Sequence, residues 1–165
     1  MQLFSKMPSS AKTWIYAANR VLTSDEQTQL SSLATDFLNN WVSHQQKVVA
    51  DFAIIHQLFF VLMVDENACH LGGCGTDDSV RFIKSVGSKF GVDFLNRMQT
   101  EIMLDGNIIV STKGNTIKLY EEGKINNETP FFNKNLLHKN EFDSKFEIPF
   151  KDSWVYKSTQ QLQAS

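Results

Sequence analysis

This chain is poor in cysteine. Cys69 and Cys74 are its only two, which argues against a disulfide scaffold. It has no basic stripe, and a net charge of −2 with a pI near 6.1 argues against nucleic acid as a partner. No apolar run approaches the roughly 18 residues that a membrane span needs. Residues 1 to 10 lack the apolar core of a signal peptide. The expectation is a soluble, cytoplasmic protein that engages neither nucleic acid nor membrane. No linker composition and no internal repeat divides the sequence, so one domain over residues 1–165 is expected. The pattern G-x4-G-K-[S/T] is absent, so there is no Walker A loop.

What the chain does have is ordinary globular composition, 42% apolar and 21% charged, with thirteen Phe and three Trp to fill a core. Residues 1–12 read as a loose leader. Thr13 to Ala18 reads as a short strand rich in aromatic and β-branched residues. Thr23 and Ser24 each have Glu or Gln three residues on, the pattern of a capping box. Leu30, Leu33, Ala34, Phe37, Leu38 and Trp41 then recur at helical spacing. Val48, Ala50, Phe52 and Ile54 alternate as one face of a strand. Leu58 to Val64 is apolar throughout, as an interior strand must be, and the short gap at His56-Gln57 makes the pair an antiparallel hairpin. A second helix runs to Phe90, where Gly91 supplies a left-handed stop followed by Val92. Residues 98 to 111 read as two strands around Asp105-Gly106.

That order is strand, helix, strand, strand, helix, strand. It predicts an α+β fold, a ferredoxin-like (split βαβ) sandwich with two helices on one face of an antiparallel sheet. The core would cover residues 13–111, and 112–165 would be an irregular C-terminal extension packed on it. Within the extension, Thr116 to Glu122 reads as a short helix ended by Gly123, and Thr129 to Phe132 as a short strand. Ile148-Pro149-Phe150 reads as extended, and Asp152 or Ser153 as the cap of a final turn.

The densest chemistry lies at Gly72-Gly73-Cys74-Gly75-Thr76-Asp77-Asp78-Ser79, between the interior strand and the second helix. Thr76 is expected as the N-cap, with Asp77 and Asp78 in the first turn. A thiol near a helix N-terminus has its thiolate stabilised by the dipole. Cys74 is therefore a candidate nucleophile, with Asp77 nearby and a base drawn from His44, His56, His70 or His138. The plainer alternative is a small residue in a tight glycine turn, and the two aspartates oppose a thiolate. Cys69, His70 and Cys74 lie close enough to suggest zinc, but they lack a second ligand pair at the usual spacing, so no metal and no cofactor is expected. Gly73, Gly75, Thr76 and Ser79 suit an anion approaching backbone N–H groups. The acidic pair at the expected helix start weakens that case. Asp65 and Glu66 end the interior strand just before the loop, as base, ligand-binding group or solvated charge.

These residues carry a resemblance. Trp14-Ile15-Tyr16 with Asn19-Arg20, Trp41 with His44, Val64-Asp65-Glu66, Gly73-Cys74-Gly75-Thr76-Asp77-Asp78-Ser79, Phe82-Ile83-Lys84, Asp93-Phe94 with Arg97, and Ser153-Trp154 together resemble a group of short uncharacterised bacterial proteins often labelled "ABC transporter ATPase". The similarity covers about residues 13 to 156. Here Gly75-Thr76 stands where Ser-Ile is commoner, and Gln45 where Gly is common. The resemblance implies a bacterial protein with a shared site at His44, Asp65, Glu66, Cys74, Asp77, Ser79 and Arg97. It implies no reaction, and an ABC nucleotide-binding domain needs a Walker A loop that this chain lacks. The functional expectation is a binding or regulatory domain whose polar site surrounds residues 72–79. The alternative is a small thiol-dependent enzyme with Cys74 as nucleophile and His44 as base. A third class is an interaction protein that pairs into a homodimer. The partner is thus a small molecule or a protein, a second copy included.

Overall fold

The computed structural model describes residues 3–164, with the side chains at 73, 74 and 162–164 outside that description. The chain is a mixed α+β protein. Its contacts divide it into two compact units, residues 1–96 with 134–143, and residues 97–133 with 144–165.

The first unit is built on a three-stranded antiparallel sheet in the order β1-β5-β4, from β1 (Lys12–Ala17), β4 (Ala50–Ile55) and β5 (Phe59–Val64). Every residue of β5 is buried, as its unbroken apolar run requires of an interior strand. Lys12 pairs with Val64 on one side, and Ala50 pairs with Val64 on the other. Ile55 pairs with Phe59, and in the three-residue turn between them His56 and Gln57 are at positive φ (54° and 59°). Helix α1 (Ser24–Asn40) starts on the expected capping box: Thr23 Oγ1 accepts from the Glu26 N–H, and Glu26 accepts from the Thr23 N–H. Helix α2 (Gly73–Phe90) packs on α1 through Phe37 and Phe82, stacked at 4.6 Å, and Phe82 lies 6.0 Å from Phe60 of β5. Gly91 ends α2 at φ 67°, and the Val92 N–H returns to the Gly87 carbonyl.

The expected ferredoxin-like order puts four strands in one sheet, and this sheet has three. The fourth strand would lie beside β1, and this corrects the expectation. β6 (Gln99–Leu104) belongs to the second sheet. The edge of β1 is met instead by residues 137–139: Lys12 bridges His138, the Thr13 N–H donates to the Leu137 carbonyl, and the Lys139 N–H donates to the Ala11 carbonyl. The leader is not loose either. Phe4 and Met7 are buried, with the Phe4 ring edge-on to Phe142 at 5.9 Å.

Two short strands went unforeseen. β2 (Val42–Ser43) and β3 (Gln46–Lys47) form a small hairpin directly after α1.

The second unit holds a four-stranded antiparallel sheet, β7-β6-β8-β9, adding β7 (Asn107–Thr112), β8 (Pro130–Phe132) and β9 (Glu147–Pro149). Asp105 and Gly106 turn β6 into β7 at positive φ, as expected. The boundary expected at residue 111 falls inside β7. Residues 112–133 and 144–164 are regular rather than an irregular extension. α3 (Lys113–Glu121) starts at a Thr112 cap, and α5 (Trp154–Ala164) starts beside Ser153, whose Oγ accepts from the Tyr156 N–H. Ile102, Ile125, Phe131, Phe150 and Val155 are the buried core of this unit. The short helix α4 (Lys139–Lys145) spans the change of unit at Asp143.

Candidate functional site

The glycine-rich segment is where the structure changes the chemistry most. Thr76 is not the N-cap. α2 begins at Gly73, and Gly72 caps it through its carbonyl, which accepts from the Gly75 N–H (3.0 Å) and the Thr76 N–H (3.3 Å). Glycines are poor helix formers, so the pattern points past them to Thr76. Tertiary packing overrides that preference. Gly75 is buried against Leu71 and Ser43, and a Cβ there would overlap Leu71 Cδ1 and stand 3.2 Å from Ser43 Oγ. The helix can pack this closely only with a glycine in its first turn.

Starting earlier moves the acids. Asp77 and Asp78 leave the first turn, which now reads Gly73-Cys74-Gly75-Thr76 and holds no acidic residue. Asp77 is exposed, and Asp78 pairs with Arg81. Ser79 is buried and donates to the Thr76 carbonyl at 2.7 Å, so its hydroxyl serves the helix. The Cys74 side chain lies outside the described residues, but its backbone is in the first turn.

The β2–β3 hairpin lays His44 over this helix start. His44 and Gln45 occupy the turn at φ 52° and 65°, so His44 does not cap α1, which ends at Asn40. A Cβ on Gly72 would overlap His44 Nε2 while standing 3.2 Å from both ring carbons beside it. That point lies on the outward axis of Nε2. A metal bound to Nε2 would sit about 2.0–2.1 Å along the same axis, almost on the Gly72 backbone. In this placement of the ring the axis of Nε2 is directed at Gly72. Among the described residues no group of three or more His, Cys, Asp or Glu is placed to hold a metal ion. The His70 ring joins the cluster, its centroid 5.0 Å from that of His44 and tilted by 49°. Ser43 completes it from below. Ser43 is only 6% exposed, and its Oγ has no hydrogen-bond partner. Trp41 Nε1, in the residue that follows α1, is buried without a partner too.

Other candidates serve elsewhere. Asp65 Oδ1 accepts from the Asn67 N–H (3.0 Å) and the Ala68 N–H (3.3 Å), which closes the turn after β5. Glu66 faces Lys12 at 3.9 Å on the surface. Arg97 belongs to the second unit. Of the other histidines, His56 sits in the β4–β5 turn and His138 lies 3.6 Å from Glu141. Cys69 is buried; its Sγ donates to the Asp65 carbonyl and accepts from the Val49 N–H.

Sequence reasoning missed Ser43 and the pairing of His44 with His70. The hairpin that positions them carries no Gly, Asn or Asp at its turn, so no signal announced it. It also missed an open cavity of about 520 Å³ where α1 meets β4, lined by Leu38, Lys47, Val48, Ala50, Asp51 and Phe52 among others. Among the described residues no helix is long and apolar enough to cross a membrane. No family model, curated protein or solved structure matches the chain.

Proposed function

We propose that this protein is a binding or regulatory domain whose recognition site is the head of α2, walled by Ser43, His44 and His70. One observation carries the reading. A Cβ at Gly72 would overlap His44 Nε2, so the glycine lets the imidazole of a separate segment lie against this helix start. A screen of small neutral and charged metabolites tests the reading, followed by ¹⁵N–¹H spectra of the full chain. The expected outcome is saturable shifts at residues 43–45 and 70–76. Shifts confined to the cavity beside β4 would move the site there and overturn this assignment.

The thiol-enzyme reading keeps one observation in its favour: Cys74 stands in the first turn of an 18-residue helix, where the dipole stabilises thiolate. Its weakness is the axis of His44 Nε2, which points at Gly72 rather than into open space. Timed alkylation with a neutral reagent separates the two. Cys74 is expected to react before buried Cys69 in either case. If His44→Asn slows Cys74 by about tenfold or more, His44 acts as its base and the enzyme reading replaces the binding one.

A further inference from the structure

We propose that the outer face of α1 and α2 is the interface of a homodimer, with a second copy of this chain seated on the groove between the two helices. The interface is separate from the recognition site at the head of α2 and goes beyond it. An open groove of about 500 Å³ runs between the helices, lined by Leu33, Phe37, Phe82 and Val86 and by the charged Asp36 and Lys89 among others. Leu33, Phe37 and Phe82 are only half-buried in one chain, and Asp36 and Lys89 are exposed. The Phe37 and Phe82 rings stack at 4.6 Å, so the groove has an aromatic surface that a partner can cover.

Charge decides the occupant. α1 carries Asp25, Glu26 and Asp36 and no Lys, Arg or His. Beyond Asp78, α2 carries Arg81, Lys84 and Lys89 and no further acid. Local pairs engage Glu26 with Arg20 and Asp78 with Arg81. Among the described residues, Asp36 and Lys89 form no ion pair. The groove thus has an unpaired acid on one helix and an unpaired cation on the other. A partner of a single charge sign would be repelled by one of the two. A second copy presents both signs. Because Asp36 and Lys89 belong to different helices beside one groove, a two-fold axis in the plane of the helix pair exchanges their places. Each Asp36 then faces Lys89 of the other copy. The ionic contact forms twice, and the same rotation closes the apolar lining of the groove on itself.

Sedimentation of the full chain over a concentration series tests this. The expected outcome is a reversible dimer with twice the mass of one chain. Asp36→Lys and Lys89→Glu each set like charges opposite one another at both contacts and should weaken the dimer by about tenfold or more. The double variant exchanges the signs and should return the dissociation constant to within about threefold of the parent. That recovery separates a lost contact from a folding defect, and circular dichroism should show the parent's helix content in all three variants. Amide shifts on dilution of the ¹⁵N-labelled chain should fall at residues 33–37 and 82–89. A chain that stays monomeric throughout the series, or a dimer that either reversal leaves unchanged, overturns the proposal. So does a double variant no tighter than the single ones, or dilution shifts confined to the edge strand at residues 50–55.

Discussion

Gly87 shows how much a single residue can depend on its surroundings. It lies inside α2, where Gly→Ala ordinarily gains about 1 kcal/mol in helix propensity. Here a Cβ would stand 2.5 Å from the Val92 carbonyl oxygen, and that oxygen belongs to backbone held by the return bond to Gly87. Gly87→Ala should therefore destabilise by about 1–3 kcal/mol, read as a lower urea midpoint; an unchanged or higher midpoint would mean that the C-terminal return yields easily. At the same end of the helix pair, the Glu26 carboxyl is held at about 2. The Arg20 guanidinium donates to it through two bonds of 2.8 Å, and the Thr23 N–H adds a third. Arg20 also donates to the Phe90 carbonyl, which ties the start of α1 to the end of α2. Because the folded value lies below the ordinary 4.5, Glu26 stabilises the fold fully above that value, and the contribution disappears as pH falls towards 2. Glu26→Gln should lower the thermal midpoint at neutral pH, and the gap to the parent should close in acid. A gap that persists at about pH 2 would assign the effect to packing instead. The capping box was legible in the sequence because Thr23 and Glu26 are local; Gly87 was not, because its constraint comes from the turn after the helix.

Among the elements, β4 shows how a sheet edge is covered. It is the outer strand of its sheet, and the Asp65 N–H to Val49 carbonyl bond sets which amides face inward. The alternation sends the amides of Ala50, Phe52 and Ile54 outward. Asp51 covers one of them: its Oδ1 accepts from the Phe52 N–H at 2.8 Å. A charged residue that occupies an edge amide discourages pairing with another chain. Asp51→Val should expose that amide, add β propensity and promote self-association, visible as concentration-dependent mass in light scattering. A strictly monodisperse variant at high concentration would show that the edge is protected by something else. The β4–β5 hairpin was legible because seven consecutive apolar residues have few other places to go. The β2–β3 hairpin was not, since two residues per strand leave no periodicity to read.

For the whole molecule, the decisive feature is that the first unit is discontinuous in sequence. The chain leaves it at Asn96 and returns at Lys134. The return supplies Leu137 and His138 to the edge of β1 and Phe142 to the ring of Phe4. A fragment of residues 1–96 should thus melt at a lower temperature than the first unit does within the full chain, with hydrogen exchange fastest at Thr13, whose amide loses its acceptor. Equal protection of that amide in the fragment would make the return segment dispensable. By itself, the sequence determined what local forces decide: the capped first helix, the buried central strand, the Asp105-Gly106 turn, the left-handed stop at Gly91 and the α+β class. Only the tertiary structure decided which sheet β6 joins, where α2 begins and which histidines meet at its head. Each of those depends on contacts between residues far apart in the chain. Leu71 and Ser43 packing on Gly75 offset the poor helix propensity of Gly73 and Gly75, and no local pattern carries that information.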